Sequence, residues 1–222
     1  MSLGPIMRLT TDANLNIELA PFTREECSAF VDGFSKESVT QYLEFHASQT
    51  LELEQKWYDG IVEDKNCYVW GIWVVENGHR KLIGNTAIND ITTHHTIQAS
   101  TGSVITDVSY WGKGIASVTH KARTWYAFRK YGFTRLKSAV LQPNVASRKA
   151  LEKSGYTVVY TERCEQFKDG KLVHKDCLEC LNPDDWAWRQ WWGDDRPTRK
   201  SVEARAKTLE ALAWAEKNVE LL

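Results

Sequence analysis

The chain lacks a hydrophobic run that could cross a bilayer: its longest apolar stretch, Cys67 to Val75, is under half of the ~20 residues a spanning helix requires. It also lacks a basic surplus. Twenty-eight Lys and Arg against 29 Asp and Glu leave a net charge of -1, which provides no track for a phosphate backbone and argues against nucleic acid as a partner. The opening MSLGPIM has neither a charged segment followed by an apolar one nor an Arg-rich amphipathic helix, so no export or organelle address is read. Met7 then reads as the native start, residues 1–6 as a cloning remnant, and 1–14 as a segment outside the domain. Five cysteines, odd in number and scattered, do not make a disulfide framework and point to reduced thiols in a cytoplasmic protein. There is no internal repeat. What is abundant is apolar material, 42% of the 222 residues, and tryptophan, ten in all, with Trp186, Trp188, Trp191 and Trp192 in one short stretch. A single domain with an appendage fits that length.

The first punctuation is Thr23-Arg24-Glu25-Glu26, the spacing of a capping box, with Phe22 and Cys27 placed as a staple. A helix is expected there with Ala29, Phe30 and Phe34 buried. A second helical stretch over about 37–62 carries Leu53, Trp57 and Ile61 at spacings of four. A short strand, Asn16 to Leu19, precedes both. From Asn66 to Ile91 two β-branched and aromatic runs flank Asn77-Gly78, a hairpin signal, and a third run, Thr96 to Val108, extends the sheet. Helical periodicity follows through Ile115, Thr119, Ala122 and Tyr126 and stops at Gly132, where a left-handed cap belongs. A strand from Leu136 to Leu141, a helix from Pro143-Asn144 to the cap at Gly155, and a hairpin about Asp169-Gly170 complete the pattern. Beyond Leu181 the composition turns Trp-rich and then Ala/Glu/Lys/Leu-rich, with Val202, Ala206, Leu209 and Ala213 on one stripe of a tail helix. Aromatics that pack this tail onto the sheet, or onto a second copy in a homodimer, account for its tryptophans.

Trp111-Gly112-Lys113-Gly114-Ile115-Ala116-Ser117 stands between a strand and the first turn of a helix. Two glycines leave the backbone bare there, so successive N–H groups can turn toward an anion while the helix N-terminus adds about half a positive charge. By spacing alone this is a weak signal, because Gly-rich turns before helices are common. A Walker loop would need Gly at 107, which is Asp, and a dinucleotide fingerprint would need a third Gly where Ser117 stands. About thirty residues on comes Pro143-Asn144-Val145-Ala146-Ser147-Arg148-Lys149-Ala150-Leu151-Glu152-Lys153-Ser154-Gly155-Tyr156.

The two segments together resemble the GNAT superfamily of acetyl-CoA-dependent N-acyltransferases, within it the RimJ/RimL-like branch, which reads W-G-K-G-x-A-[ST] and then N-x-x-S-x-x-x-L-x-K-x-G-[FY]. The resemblance covers residues 15–181 and leaves 182–222 as a Trp-rich linker and C-terminal helix. It implies an α/β (α+β) fold, a mixed, mostly antiparallel sheet of about seven strands with flanking helices. It also implies that the amides from Gly112 through Lys113, Gly114, Ile115 and Ala116 to Ser117, beside Trp111, hold the pyrophosphate of acetyl-CoA, and that the pantetheine runs along Val104, Ile105 and Thr106, where one main-chain N–H polarises the thioester carbonyl. Asn144 reads as an N-cap in its own right; the resemblance adds a pantetheine contact, and makes Ser147 the candidate acid for the departing thiolate. Many superfamily members place a Tyr four residues after that Ser, and here the position is Leu151.

An amine must lose its proton before it attacks, and no base declares itself. Gln166 occupies the position where some branch members carry one. Counting across Asp169-Gly170 puts Glu165 opposite His174, and Glu165 and Asp107 are the carboxylate candidates, with Asp90, His94 and His95 as alternatives. Trp57 and Tyr58 lie where the family builds its acceptor pocket, although a core role explains Trp57. Cys164, His174, Cys177 and Cys180 suggest zinc by composition, but strand geometry separates them and no metal is expected. The expected activity is transfer of acetyl from acetyl-CoA to a primary amine, on a protein N-terminus or a small molecule, by direct attack in a ternary complex. The rival is a non-catalytic acyl-CoA-binding module whose Trp-rich tail docks a partner.

Overall fold

The computed structural model describes residues 3–43, 48–94 and 96–222. Along the chain run β1 (Met7–Thr10), β2 (Asn16–Ala20), a 3-10 turn (Glu25–Cys27) entering α1 (Ser28–Phe34), α2 (Glu37–Thr40), α3 (Leu51–Glu63), β3 (Tyr68–Glu76), β4 (His79–Thr92) and β5 (Gln98–Ile105). They are followed by α4 (Ile115–Trp125), β6 (Arg135–Leu141), α5 (Val145–Glu152), β7 (Thr157–Lys168), β8 (Lys171–Leu181), α6 (Asp185–Trp188), α7 (Arg199–Asn218) and β9 (Glu220–Leu221). The class is as expected: helices flank a mixed sheet in which β5–β6 is a parallel pair and the β1–β2, β2–β3, β3–β4, β6–β8 and β7–β8 pairs are antiparallel. Among the described residues nine strands are found where about seven are expected. The additional two are β1, too short for its alternation to register, and β9, two residues at the end of a helix; they pair with each other through Met7↔Leu221 and Arg8↔Glu220. Among the described residues no helix is long and apolar enough to cross a membrane.

The chain forms two compact units, one of Met1–Asp90, Thr101–Thr119 and Asn218–Leu222, the other of Ile91–Ser100 and His120–Lys217. In the first unit the strand order is β9-β1-β2-β3-β4-β5. The Asn77–Gly78 turn closes β3 onto β4 with Glu76↔His79 as the last pair, and both turn residues have positive φ, 52° and 78°, as the expected hairpin demands. The capping box forms, with Thr23 N–H donating to Glu26 Oε2 at 2.8 Å and Glu26 N–H to Thr23 Oγ1 at 3.3 Å. It opens the 3-10 turn that feeds α1. Phe22 then nests against Phe30, Trp57 and Tyr58 with ring centroids 5.5, 6.0 and 5.6 Å away, each buried ring contributing about 1.5–3 kcal/mol.

The buried faces correct the expected stripes. Ala29 is exposed, and α1 buries Phe30, Gly33 and Phe34. The stretch expected at 37–62 is two helices, α2 ending at Thr40 and α3 beginning after Thr50, whose hydroxyl accepts from Leu53 N–H; residues 44–47 within that range lie outside the described residues. Leu53 is 49% exposed, and α3 turns Glu54, Trp57, Tyr58 and Ile61 inward, one residue away from the all-apolar stripe.

In the second unit Gln98–Ser100 of β5 pairs in parallel with Arg135–Lys137 of β6, β6 pairs with β8, and β8 with β7, giving the order β5-β6-β8-β7. Gly155 ends α5 at φ +88°, and a Cβ there would stand 1.9 Å from Thr208 Oγ1 on α7. The buried side of α7 is Thr208, which meets Gly155, with Ala211, Leu212 and Ala215, while the expected stripe, Val202, Ala206, Leu209 and Ala213, faces outward. Three of the clustered tryptophans pack within this unit, with Trp188 buried under Arg205, its ring 5.6 Å from that of Trp192, and the Arg135 guanidinium 5.0 Å from the Trp191 ring, whereas Trp186 is exposed.

Candidate functional site

The Trp-Gly-Lys-Gly segment follows a 3-10 turn, Val108–Tyr110, that Asp107 caps by accepting from Ser109 N–H at 3.0 Å and Ser109 Oγ at 2.7 Å. Its other oxygen accepts from Lys81 Nζ at 2.8 Å. These bonds, Lys81 first, hold the Asp107 carboxyl at about 2. So acidic a group is a poor acceptor for a proton on an ammonium; its bonds to Lys81 and Ser109 place Asp107 at the entrance of the loop.

Gly112 and Gly114 adopt φ of +75° and +81°, a conformation that costs a side-chain-bearing residue about 1–2 kcal/mol. Among the described residues none of the backbone N–H groups from Gly112 to Ser117 donates to another protein group; the first bond of α4 runs from Val118 N–H to Gly114 O at 3.2 Å. A run of free amides at the head of a helix, held by two left-handed glycines, is an anion cradle. Its neighbours suit that role. Ile115 is fully buried and anchors the helix, Ala116 and Ser117 are half-buried and Gly112 to Gly114 exposed. Lys113 Nζ lies 4.8 Å from the Tyr110 ring.

Trp111 is 44% exposed, yet its indole N–H donates to Ile105 O at 3.0 Å, tying the loop to the strand before it. The parallel ladder of β5 with β6 stops at Ser100, although β5 continues to Ile105. Val104 and Ile105 are half-buried. Thr106 is buried and spends its N–H on Ile83 O at 2.8 Å, so the expectation of an available amide in this stretch narrows to Val104 and Ile105. Glycines let other elements approach this strand: a Cβ on Gly84 would lie 2.1 Å from Val104 O, and one on Gly33 2.5 Å from Thr106 O.

In the second unit Asn144 caps α5, its Oδ1 accepting from Ser147 N–H at 3.1 Å. Ser147 is half-buried, and Leu151, where a Tyr was noted as missing, is buried at 2% exposure. The expected Glu165–His174 pairing does not form. The register holds from Lys168↔Lys171 to Gln166↔Val173 and then shifts before Glu162↔Lys175, because Cys164 takes a left-handed φ of +60°. Cys164 N–H donates to His174 Nδ1 at 3.0 Å and Glu165 pairs with Lys175 at 3.1 Å. Of the alternative bases, Asp90 and His94 are exposed, and His95 lies outside the described residues. Among the described residues no three His, Cys, Asp or Glu side chains are grouped to hold a metal ion.

A strand edge leading into a run of free peptide amides at the head of α4 is an arrangement suited to a phosphorylated carrier. The sequence matches the family described as Acetyltransferase (GNAT) domain over residues 16–157, and the chain belongs to that family. It is an acetyl-CoA-dependent acetyltransferase, with acetyl-CoA as co-substrate. The cradle fits this carrier, whose diphosphate needs donors and whose extended arm needs a strand edge.

A Bacillus subtilis (strain 168) protein described as Probable N-acetyltransferase YjcK is 26% identical over 175 residues, 79% of this chain and 91% of its own. Two solved structures share the fold. Vibrio cholerae spermidine N-acetyltransferase, in complex with CoA and spermine, superposes with TM-score 0.67 at 16% identity over 75% of this chain and 95% of its own. Mycobacterium smegmatis RimJ, in complex with CoA-disulfide, does so with TM-score 0.67 at 14% identity over 99% and 97%.

Proposed function

We propose that the protein is a RimJ/RimL-like, cytoplasmic N-acetyltransferase that moves acetyl from acetyl-CoA to a primary amine by direct attack, with both substrates bound together. The observation that carries this reading is the run of free amides from Gly112 to Ser117 beside a strand whose parallel ladder has stopped. The superposition with RimJ, extending over nearly the whole chain including the tail, supports the branch. The acceptor is a protein N-terminus or a small amine, in keeping with the solved neighbours named for RimJ and for spermidine acetylation.

In this reading the amides of Gly112 to Ser117 neutralise the diphosphate, Lys113 adds charge, and Val104 and Ile105 present main chain to the arm and its carbonyl. The thioester supplies an activated acyl group with a thiolate to leave. Asn144 contacts the arm and Ser147 donates the proton the thiolate takes up. Glu165, the remaining carboxylate candidate, receives the proton released by the attacking amine, through solvent. The free enzyme needs no covalent nucleophile, because the amine itself attacks.

The test is a thiol-release assay with acetyl-CoA and an amine panel of spermidine, a peptide with a free N-terminus and phosphinothricin, followed by mass spectrometry of the acceptor. Turnover on one acceptor with Ser147→Ala lowering kcat about 10- to 100-fold is expected. Tight CoA binding with no turnover on the panel would overturn these acceptor classes.

A further inference from the structure

Asp176 on β8 is a charged side chain with only 5% of its surface exposed, and none of its partners belongs to a core. Its Oδ1 accepts from Gln142 Nε2 at 2.9 Å and from Thr161 Oγ1 at 2.9 Å, and its Oδ2 accepts from Arg148 Nη1 at 3.0 Å. Gln142 and Arg148 bracket Pro143 to Ser147, the turn and first helical residues of α5. Inside the bracket, Asn144 N–H donates to Leu141 O at 2.8 Å, Val145 N–H to Pro143 O at 2.9 Å, and Ser147 N–H to Asn144 Oδ1 at 3.1 Å. Gln142 N–H in turn donates to His174 O at 2.9 Å, two residues from Asp176 on the same strand. Arg148 N–H donates to Asn144 O at 3.2 Å, so a residue that Asp176 grips is bonded directly to the residue that caps α5.

A buried carboxylate is costly, and as a device for stability alone it competes poorly with an apolar side chain of similar volume. What a bidentate acceptor does that an apolar group cannot is set two neighbouring donors in fixed register. Burial on its own would raise the Asp176 carboxyl; the bonds from Gln142, Thr161 and Arg148 outweigh burial and hold it below the ordinary carboxylate range, so all three acceptor bonds persist at neutral pH.

We propose that Asp176 is a positioning residue for the acyl-CoA site: by gripping Gln142 and Arg148 on either side of the turn, it sets where Asn144 and Ser147 present their side chains. The inference rests on the proposed roles of Asn144 and Ser147 toward the pantetheine. Contacts of that kind tolerate little error, since a displacement of about 1 Å in a supporting element can lower rates by roughly 100-fold.

Calorimetry of CoA binding to the full chain tests it. Asp176→Asn keeps an oxygen for Gln142 and Thr161 and removes only the anion that Arg148 needs. We expect CoA to bind about tenfold more weakly to Asp176→Asn and to Asn144→Ala, and no more than about tenfold more weakly to the double variant, because both act through one turn. A purely structural Asp176 would lower the melting temperature and leave CoA affinity unchanged, which overturns the proposal. So would a double variant in which the two losses multiply. Should Asp176→Asn fail to fold, Gln142→Met breaks one side of the grip and is read the same way. Gly114→Val separates this idea from the cofactor reading beneath it: full CoA affinity in Gly114→Val defeats the cradle, whereas lost affinity there with wild-type affinity in Asp176→Asn defeats the positioning role alone.

Discussion

Glu54 has a carboxyl buried to 6% exposure on the face of α3 that meets the aromatic cluster, and it has no hydrogen-bond or ion-pair partner among the described residues. Desolvation raises its carboxyl to about 7. The folded chain therefore holds a proton there that the unfolded chain releases near 4.5, so stability falls as pH rises from about 4.5 to 7 and stays reduced above. The shift corresponds to about 3 kcal/mol. Glu54→Gln should raise the melting temperature at pH 8 and leave it nearly unchanged at pH 4, in scanning calorimetry at the two pH values. Equal effects at both would mean the side chain is solvated. Asp107 behaves oppositely. Its carboxyl is depressed to about 2 from 3.8, so the stability it adds is fully present above 3.8 and is lost as pH falls toward 2. With a quarter of its side chain exposed, solvent screening limits that contribution to about 1 kcal/mol, and Asp107→Asn should flatten the acid limb of the stability curve between those values without changing stability below pH 2.

At the level of elements, what was legible in the sequence is what local chemistry determines. The capping box at Thr23, the Asn77-Gly78 and Asp169-Gly170 turns, the caps at Gly132 and Gly155, and the bare loop at Gly112 to Gly114 all have the backbone those residues require. Each depends on a conformation that few side chains adopt or on a bond within three residues. The buried face of α3 was legible in part, since Trp57 and Ile61 turn inward while Glu54 takes the place expected for Leu53, and that of α7 was not, because its stripe of highest hydrophobicity, Val202-Leu209, is not the one neighbouring elements cover. On α7 the deciding fact is distance: Gly155 admits Thr208 and no Cβ of its own. Gly155→Ala meets both the strained φ of +88° and that contact, and should cost about 2–4 kcal/mol in a denaturant titration; Gly170→Ala, at φ +74° with open space around it, should cost only the ~1 kcal/mol of the backbone term. The β7–β8 register was lost at one residue, Cys164, whose left-handed backbone no local motif announced, and with it went the Glu165–His174 pair. The candidate site was readable where it is made of main chain and unreadable where it depends on which carboxylate faces which cation.

At the scale of the whole molecule, a net charge of -1 and a pI of about 6.6 leave little repulsion between copies near neutral pH, so apolar surface decides whether they associate. The stripe that α7 turns outward offers such surface, with Val202 50% and Leu209 44% exposed, and Trp186 of α6 is 52% exposed. Isolated apolar residues on a surface are ordinary, but Val202, Ala206, Leu209 and Ala213 recur on one side of a 20-residue helix, the spacing by which two helices pack. A second copy of the chain, related by a two-fold axis, would cover the stripe with its own, and the homodimer expected from the tail would then be built from the face of α7 opposite to the one the fold already uses. Val202→Glu with Leu209→Glu places like charges across that axis and touches none of the buried residues of α7, so it should convert dimer to monomer in sedimentation equilibrium at micromolar concentration while the melting temperature measured on dilute protein changes by less than ~2 °C. A wild-type chain that sediments as a monomer at those concentrations rules this interface out, and a doubly substituted chain that remains a dimer moves the interface elsewhere.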